Sequence, residues 1–168
     1  MKPPPDWIKR KDYDEGLRWF RELCQRLFAL DVDGNEDKTH AICKKAIPGG
    51  IVLRDRARNV EEEFELCGNL SFMYRELEMF KDAEKNARRA IELERSSFGA
   101  SLRLYLALAL SGKTKVALDE IWRYTRYDDF VKYKDTIEEL IADLRTGYLL
   151  EYRLTITALA EKAGLRVD

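Results

Sequence analysis

Residues 64–97 read FELCGNLSFMYRELEMFKDAEKNARRAIELERSS, and residues 98–131 read FGASLRLYLALALSGKTKVALDEIWRYTRYDDFV. In the first stretch, apolar and small residues return every three or four positions, which is the spacing of one helix face. The members of that face are Phe64, Cys67, Leu70, Ser71, Tyr74 and Leu77. A break near Met79 precedes a second helical face that consists mostly of alanines. We therefore predict two helices joined by a short turn.

The second stretch predicts another pair of helices. Residues 96–99 (Ser-Ser-Phe-Gly) are expected to interrupt the helical structure. Residues 102–110 are apolar apart from Arg103. A helix that is apolar on all sides is expected to be enclosed by its neighbours. Gly112 ends this predicted helix, and the next one begins near Val116.

Packing positions recur between the two stretches at an interval of 34 residues. The recurring pairs are Leu70 and Leu104, Tyr74 and Leu108, and Ala83 and Ala117. Helix-turn-helix units with a period of about 34 residues are typical of the tetratricopeptide repeat (TPR), and residues 64–97 and 98–131 resemble two such units. Small residues such as Ser71 and Ala90 allow two helices to approach closely.

The second unit departs from the family pattern at several positions. Tyr105 stands where a small residue is expected, and Tyr124 where an alanine is expected. Arg95 and Asp129 replace the proline that usually closes each unit. The resemblance therefore depends on packing positions.

The resemblance implies an all-α fold of antiparallel helical hairpins stacked as a short solenoid. Because two repeats alone would leave uncovered ends, residues 1–59 and 132–168 are expected to form irregular capping helices. We accordingly expect residues 1–168 to form one helical domain.

In such a stack, the first helix of each unit lines a concave groove that receives a peptide or a protein segment. The resemblance places groove positions at Glu65, Gly68, Phe72, Arg75 and Glu76 in the first unit, and at Leu102, Leu106 and Ala109 in the second. The family's clamp for a C-terminal carboxylate needs several basic and amide residues, and only Arg75 meets that need. An apolar groove is the alternative, filled by a partner's helix, by this chain's own C-terminal helix or by a second copy.

The remaining segments also predict helices. Residues 14–30 have strong helical periodicity, and a shorter helix is expected over 37–46, ended by the Pro-Gly-Gly of residues 48–50. Residues 133–144 predict a further helix. Residues 149–163 fit either a strand or a helix; we favour the helix because a single strand would have no partner.

Composition limits the classes of function. The chain has 30 basic and 31 acidic residues among 168, so a nucleic acid is not the expected partner. No apolar run approaches the roughly 18 residues of a membrane span. An odd number of cysteines and a start without an apolar signal core predict a soluble, cytoplasmic protein. Scarce amide residues with abundant charge fit a thermophilic source.

Two segments resemble ligand-binding loops but lack residues that such loops require. The segment 112–114 (Gly-Lys-Thr) resembles the end of a phosphate loop, yet Ala107 stands where its first glycine belongs. The segment 31–37 resembles the start of a calcium loop, with Glu36 in place of the required glycine. We interpret the first as a turn and the second as an acidic capping loop.

His40 and Cys43 lie one helical turn apart and supply only half of a zinc site. One histidine without a nucleophile and an orienting group makes no catalytic set. We therefore expect no metal, no cofactor and no enzymatic activity. A small helical metal protein or enzyme remains an alternative.

The leading hypothesis is an adaptor or assembly scaffold that binds another protein or a peptide, with a homodimer as an open possibility. The expected partner-binding residues are Glu65, Phe72, Arg75, Glu76, Leu102 and Leu106. The alternative is binding of RNA or single-stranded nucleic acid by Arg123, Arg126 and Tyr127, because arginines beside aromatic rings can stack on bases.

Overall fold

The computed structural model describes residues 12–31, 36–124, 133–147 and 149–167. Within these ranges the chain is all-α, as predicted, with eight α-helices, one 3₁₀ turn and no strand. The helices are α1 (Tyr13–Asp31), α2 (Glu36–Arg54), α3 (Val60–Glu76), α4 (Phe80–Leu93), α5 (Phe98–Leu110), α6 (Thr114–Tyr124), α7 (Lys134–Arg145) and α8 (Arg153–Lys162), with the 3₁₀ turn at Leu150–Tyr152.

The helices group into two compact units. The first unit ends at Arg95 and contains α1 to α4, and the second begins at Ser96 and contains α5 to α8. The boundary falls close to the junction between the two resembling stretches, 64–97 and 98–131. The expectation of one domain over residues 1–168 stays a prediction, and each unit is described below by itself.

Short polar side chains set where several helices begin. Asp12 Oδ1 accepts a hydrogen bond from the backbone N–H of Glu15, and Asn59 Oδ1 accepts one from Glu62. Ser97 caps α5 in the same way, because its Oγ lies 3.3 Å from the backbone N of Ala100. The predicted break at residues 96–99 is present but lies at 94–97, and α5 begins at Phe98, four residues before the expected start at 102.

The sequence prediction for α2 was also wrong, because this helix continues through the Pro-Gly-Gly segment to Arg54. Pro48 is exposed, so the Lys44 carbonyl that loses its intrahelical partner lies on the solvent side of the helix. Gly50 is buried, and a Cβ added there would lie 2.6 Å from Phe20 Cε2 and 2.9 Å from Leu70 Cδ2. Gly50 therefore allows Phe20 and Leu70 to pack closely against α2, and it does not end the helix.

Helices α3 and α4 form an antiparallel hairpin in the first unit. Ser71, late in α3, donates a hydrogen bond from its hydroxyl to the carbonyl of Ala83, early in α4, over 2.9 Å. At the other end, Arg89 of α4 pairs with Glu63 of α3 at 2.7 Å. Small side chains fill the contact, and Ala83, Ala87 and Ala90 are fully buried. The hairpin predicted for the first stretch is thus present.

The turn of the α3/α4 hairpin has the same backbone geometry as the turn that joins α5 to α6. Each contains one residue with a left-handed backbone, Glu78 at φ 57° and Gly112 at φ 79°. In each turn, the N–H of the following residue donates a hydrogen bond to the carbonyl five positions earlier. This bond is 2.8 Å long for Met79 and 2.9 Å long for Lys113. This geometry confirms the interpretation of segment 112–114 as a turn.

The second unit has its own buried core. Ala117 of α6 is fully buried, as are Ile137 of α7 and Ile156 of α8. The ring of Tyr133 is also fully buried and meets Phe98 edge-on, with centroids 4.5 Å apart. The prediction of helices over 133–144 and near the end of the chain is confirmed.

One expectation about α5 was wrong. The helix is not enclosed on every side, because Leu110 is 57% exposed and Leu102 and Leu106 are half-buried. None of the helices in the described ranges combines the length and the apolar character that crossing a membrane requires.

Candidate functional site

Helices α1 and α3 of the first unit lie side by side and run in the same direction. Their contacts advance together along both helices, from a polar pair at the start to an aromatic pair at the end. These pairs are Tyr13 with Glu62, Arg21 with Glu65, and Phe28 with Phe72. We call the outer side of this contact the α1/α3 face and define it by Arg21, Phe28, Glu65, Phe72, Arg75 and Glu76.

The polar end of the α1/α3 contact is a hydrogen-bonded cluster. Glu62 accepts hydrogen bonds from the Arg58 guanidinium at 2.9 Å, from the Arg58 backbone N–H at 3.0 Å and from the Tyr13 hydroxyl at 2.8 Å. The Arg58 side chain also pairs with Asp14 at 3.0 Å, and its guanidinium carbon lies 4.5 Å from the centre of the Tyr13 ring. The cluster joins the start of α1 to the start of α3.

This cluster shifts the pKa values of its members. The hydrogen bonds from Arg58 hold the pKa of Glu62 down at about 2, so the carboxylate stays charged well below neutral pH. Burial, together with the bond to Glu62, raises the pKa of Tyr13 to about 12. Both pKa shifts favour an ionised Glu62 carboxylate beside a neutral Tyr13 hydroxyl.

A shallow cleft of about 460 Å³ opens beside the polar end. Its lining includes three carboxylates and three guanidinium groups, namely Asp14, Glu22, Glu62, Arg18, Arg21 and Arg58. The two signs of charge are balanced, so this cleft has no preference for an anion or a cation.

The other end of the α1/α3 face is aromatic and cationic. The rings of Phe28 and Phe72 lie 5.3 Å apart at an angle of 57°. The Arg75 guanidinium carbon lies 4.7 Å from the centre of the Phe72 ring, and the same guanidinium pairs with Glu76. Phe72 is only 8% exposed because it lies among these groups, whereas Phe28 is 42% exposed.

The structure brings together four of the partner-binding residues predicted from the sequence. Glu65, Phe72, Arg75 and Glu76 all lie on α3, next to α1 or beside Phe72. The fifth groove position of this unit, Gly68, is buried. Whether these residues bind a partner stays a prediction.

Sequence reasoning missed the contribution of α1 to this face. Arg21 and Phe28 each lie 44 residues before their partners on α3, because Arg21 contacts Glu65 and Phe28 contacts Phe72. The segment before residue 60 was expected to form only a cap. The sequence contained one signal of this contribution, because Phe28 is an apolar residue at the exposed edge of the apolar stripe of α1.

The predicted groove residues of the second unit lie on α5. Leu102, Leu106 and Ala109 are half-buried, so each keeps part of its apolar surface accessible. All three carry aliphatic side chains without a charged group, in contrast to the α1/α3 face.

The residues of the nucleic-acid alternative are only partly described. Arg123 is engaged within its own unit, because its guanidinium pairs with Glu120 at 2.6 Å and lies 3.4 Å from Ser101 Oγ. Arg126 and Tyr127 lie outside the described residues. The Arg123 guanidinium is therefore directed towards side chains of this chain.

Among the residues that the structure describes, none completes a metal site with His40 and Cys43. His40 Nε2 lies 3.8 Å from the Glu36 carboxylate, and Cys43 is fully buried. Burial raises the pKa of the Cys24 and Cys43 thiols to about 12 and that of Cys67 to about 11. Across the described ranges, no group of three or more histidine, cysteine or acidic residues has the arrangement needed to hold a metal ion.

Comparison with known proteins adds no family to this description. No protein-family model, no curated protein and no solved structure matches the chain.

Proposed function

We propose that the protein is a non-enzymatic adaptor or assembly scaffold that binds a segment of another protein on a TPR-like groove. The single observation that carries the proposal is the parallel contact between α1 and α3. Neighbouring parallel helices of this kind support the proposal, because repeat stacks build their binding surfaces from the parallel first helices of successive units.

The recurring turn supports the likeness to tetratricopeptide units. The backbone geometry at Glu78 returns 34 residues later at Gly112, and the fully buried alanine that follows each turn, Ala83 or Ala117, returns at the same interval. Equal intervals of this kind are what repeated helical hairpins require.

The chemistry of the α1/α3 face fits a partner segment that has both apolar and charged residues. The exposed part of the Phe28 ring offers apolar contact, and beside Phe72 lies the Arg75–Glu76 ion pair, whose side chains are 18% and 20% exposed. Aromatic and arginine side chains are the residue types that contribute most to protein interfaces. In the second unit, the half-buried Leu102 and Leu106 of α5 are proposed as partner-binding residues in their own right. The proposed compartment is the cytoplasm.

Affinity purification followed by mass spectrometry tests the proposal. Phe28→Glu places a charge on the α1/α3 face, and Leu106→Glu places one on the proposed partner-binding residues of α5. Val60→Glu alters an apolar residue of α3 that is 54% exposed and belongs to neither set. The wild-type protein and Val60→Glu should capture the same partner, and the other two variants should lose it. Circular dichroism checks that all four proteins have equal helical content.

Equal capture by all folded variants would contradict the proposed surface. Phe28 and Leu106 are suited to this test because neither is fully buried, so a charged side chain can reach water. Phe72 is less suitable, since it is 8% exposed and its replacement would disturb packing.

A further inference from the structure

The second unit exposes two leucines on its last helical segment. Leu150 in the 3₁₀ turn is 58% exposed, and Leu154 in the first turn of α8 is 87% exposed. The two residues are four positions apart, one on each side of the junction between the 3₁₀ turn and α8. Large apolar side chains that are grouped and exposed are typical of interaction sites.

A cleft borders Leu150. It has a volume of about 460 Å³ and lies between the end of α7, the start of α8 and the C-terminal tail. Its apolar lining comes from Leu144, Leu150 and Val167, and its charged lining from Arg145 and Arg153. We call Arg145, Leu150, Arg153 and Leu154 the α8 surface.

Both charged residues of the α8 surface are arginines. Arg145 and Arg153 are exposed, and neither forms an ion pair with any residue in the ranges that the structure describes. The described lining of the cleft contains no carboxylate. Other arginines of the chain differ in this respect, since Arg21, Arg89 and Arg123 each pair with a glutamate. The α8 surface therefore offers two guanidinium groups beside apolar side chains.

We propose that the α8 surface binds an acidic amphipathic helix of another protein. Apolar side chains at positions i and i+4 of that helix would pack on Leu150 and Leu154, which have the same spacing. Its flanking carboxylates would pair with Arg145 and Arg153, because a guanidinium binds a carboxylate through two parallel hydrogen bonds. This site lies within the second unit and does not depend on the function proposed for the α1/α3 face.

Fluorescence anisotropy with the full chain tests the site. The probe is a labelled synthetic helix with leucines at i and i+4 and glutamates around them. We expect the wild-type chain to bind it and Leu154→Ser or Arg153→Glu to weaken binding about tenfold or more. Val116→Ser and Lys115→Glu are matched controls on α6, where Val116 is 45% exposed and Lys115 is also exposed. Both controls should keep wild-type affinity.

Two further probes test the chemistry of the partner. A helix with lysines in place of the glutamates should bind at least tenfold more weakly, and so should one with serines in place of the leucines. Absence of binding to the acidic helix at millimolar concentration would overturn the proposal, as would equal binding of the lysine helix.

The remaining outcomes concern other occupants. A homodimer in sedimentation that Leu154→Ser disperses would assign the surface to a second copy of the chain and overturn the proposal. Binding to vesicles of phosphatidylserine that Leu154→Ser abolishes, with weaker binding of the acidic helix, would assign it to a membrane and overturn the proposal as well.

Discussion

Ser71 shows how one small polar residue serves the contact between two helices. Its size lets α3 and α4 approach, and its hydroxyl donates to the Ala83 carbonyl over 2.9 Å inside the core. Ser111 makes a bond of the same length to the Leu108 carbonyl, but in a partly exposed turn. The two serines therefore form a natural pair for comparison.

We predict that Ser71→Ala lowers the free energy of unfolding by about 1 kcal/mol, the usual net value of one hydrogen bond. Ser111→Ala should cost less, because Ser111 is partly exposed and water can take the place of its hydroxyl. Urea unfolding followed by circular dichroism measures both changes. A Ser111→Ala loss as large as that of Ser71→Ala would contradict this account of the hydroxyl.

Glu62 gives the protein a predictable response to acid. Its pKa lies at about 2 in the folded chain, below the ordinary value of 4.5, chiefly because Arg58 donates hydrogen bonds to its carboxylate. A carboxyl with a lowered pKa stabilises the fold above its ordinary pKa, and that stabilisation disappears as the pH falls towards the folded value.

We therefore predict that part of the stability present at pH 5 and above is lost between about pH 4.5 and pH 2. In Glu62→Gln this part of the pH dependence should be absent. Glu61→Gln, at an exposed neighbouring position, should keep the wild-type profile. Thermal unfolding at a series of pH values measures the effect, and identical profiles for wild type and Glu62→Gln would contradict it.

At the scale of the element, α2 depends on close contact rather than on helix propensity. The buried Gly50 lets the ring of Phe20 and the side chain of Leu70 approach the α2 backbone, because there is no Cβ between them. Gly99 in α5 differs, since an added Cβ would meet only the far end of the Arg103 side chain at 3.1 Å.

We predict that Gly50→Ala destabilises the protein by about 1 to 3 kcal/mol, the usual cost of overpacking a filled core. Gly99→Ala should be neutral or slightly stabilising, because alanine favours a helix more than glycine does. Chemical denaturation of both variants measures the difference. Unchanged stability of Gly50→Ala would show that the contact with Phe20 and Leu70 is not tight.

The elements also show how far sequence could predict the fold. Periodicity and capping residues identified α1, α3, α4 and α7, because these helices have a regular apolar stripe. The true end of α2 could not be predicted from Pro48 and Gly50. A glycine that allows close packing and one that ends a helix are identical in sequence, and only the neighbours Phe20 and Leu70 distinguish them.

At the scale of the whole molecule, the chain consists of two compact units. The described part of the first unit contains α1 to α4 and a core that includes the fully buried Phe20, Leu53 and Leu70. We predict that residues 1–95 expressed alone are helical and unfold cooperatively. Circular dichroism during heating tests this, and a gradual loss of signal without a transition would contradict it.

The candidate site was only half predictable from the sequence. The resemblance to tetratricopeptide units implied Glu65, Phe72 and Arg75, whereas the spacing of residues within α3 indicated only a helix. Arg21 and Phe28 reach the same face from α1 only through tertiary contact. Contacts between residues 44 positions apart leave no periodic signal in a single sequence.

The most direct test of the central claim is photo-crosslinking from position 28 in living cells. A benzophenone amino acid replaces Phe28 in one protein and Val60 in another, and Val60 is the more exposed of the two at 54% against 42%. The account predicts a covalent adduct with a discrete protein partner from position 28 and none from position 60. No adduct from position 28, or equal adducts from both positions, would contradict the assignment of the α1/α3 face as the binding surface.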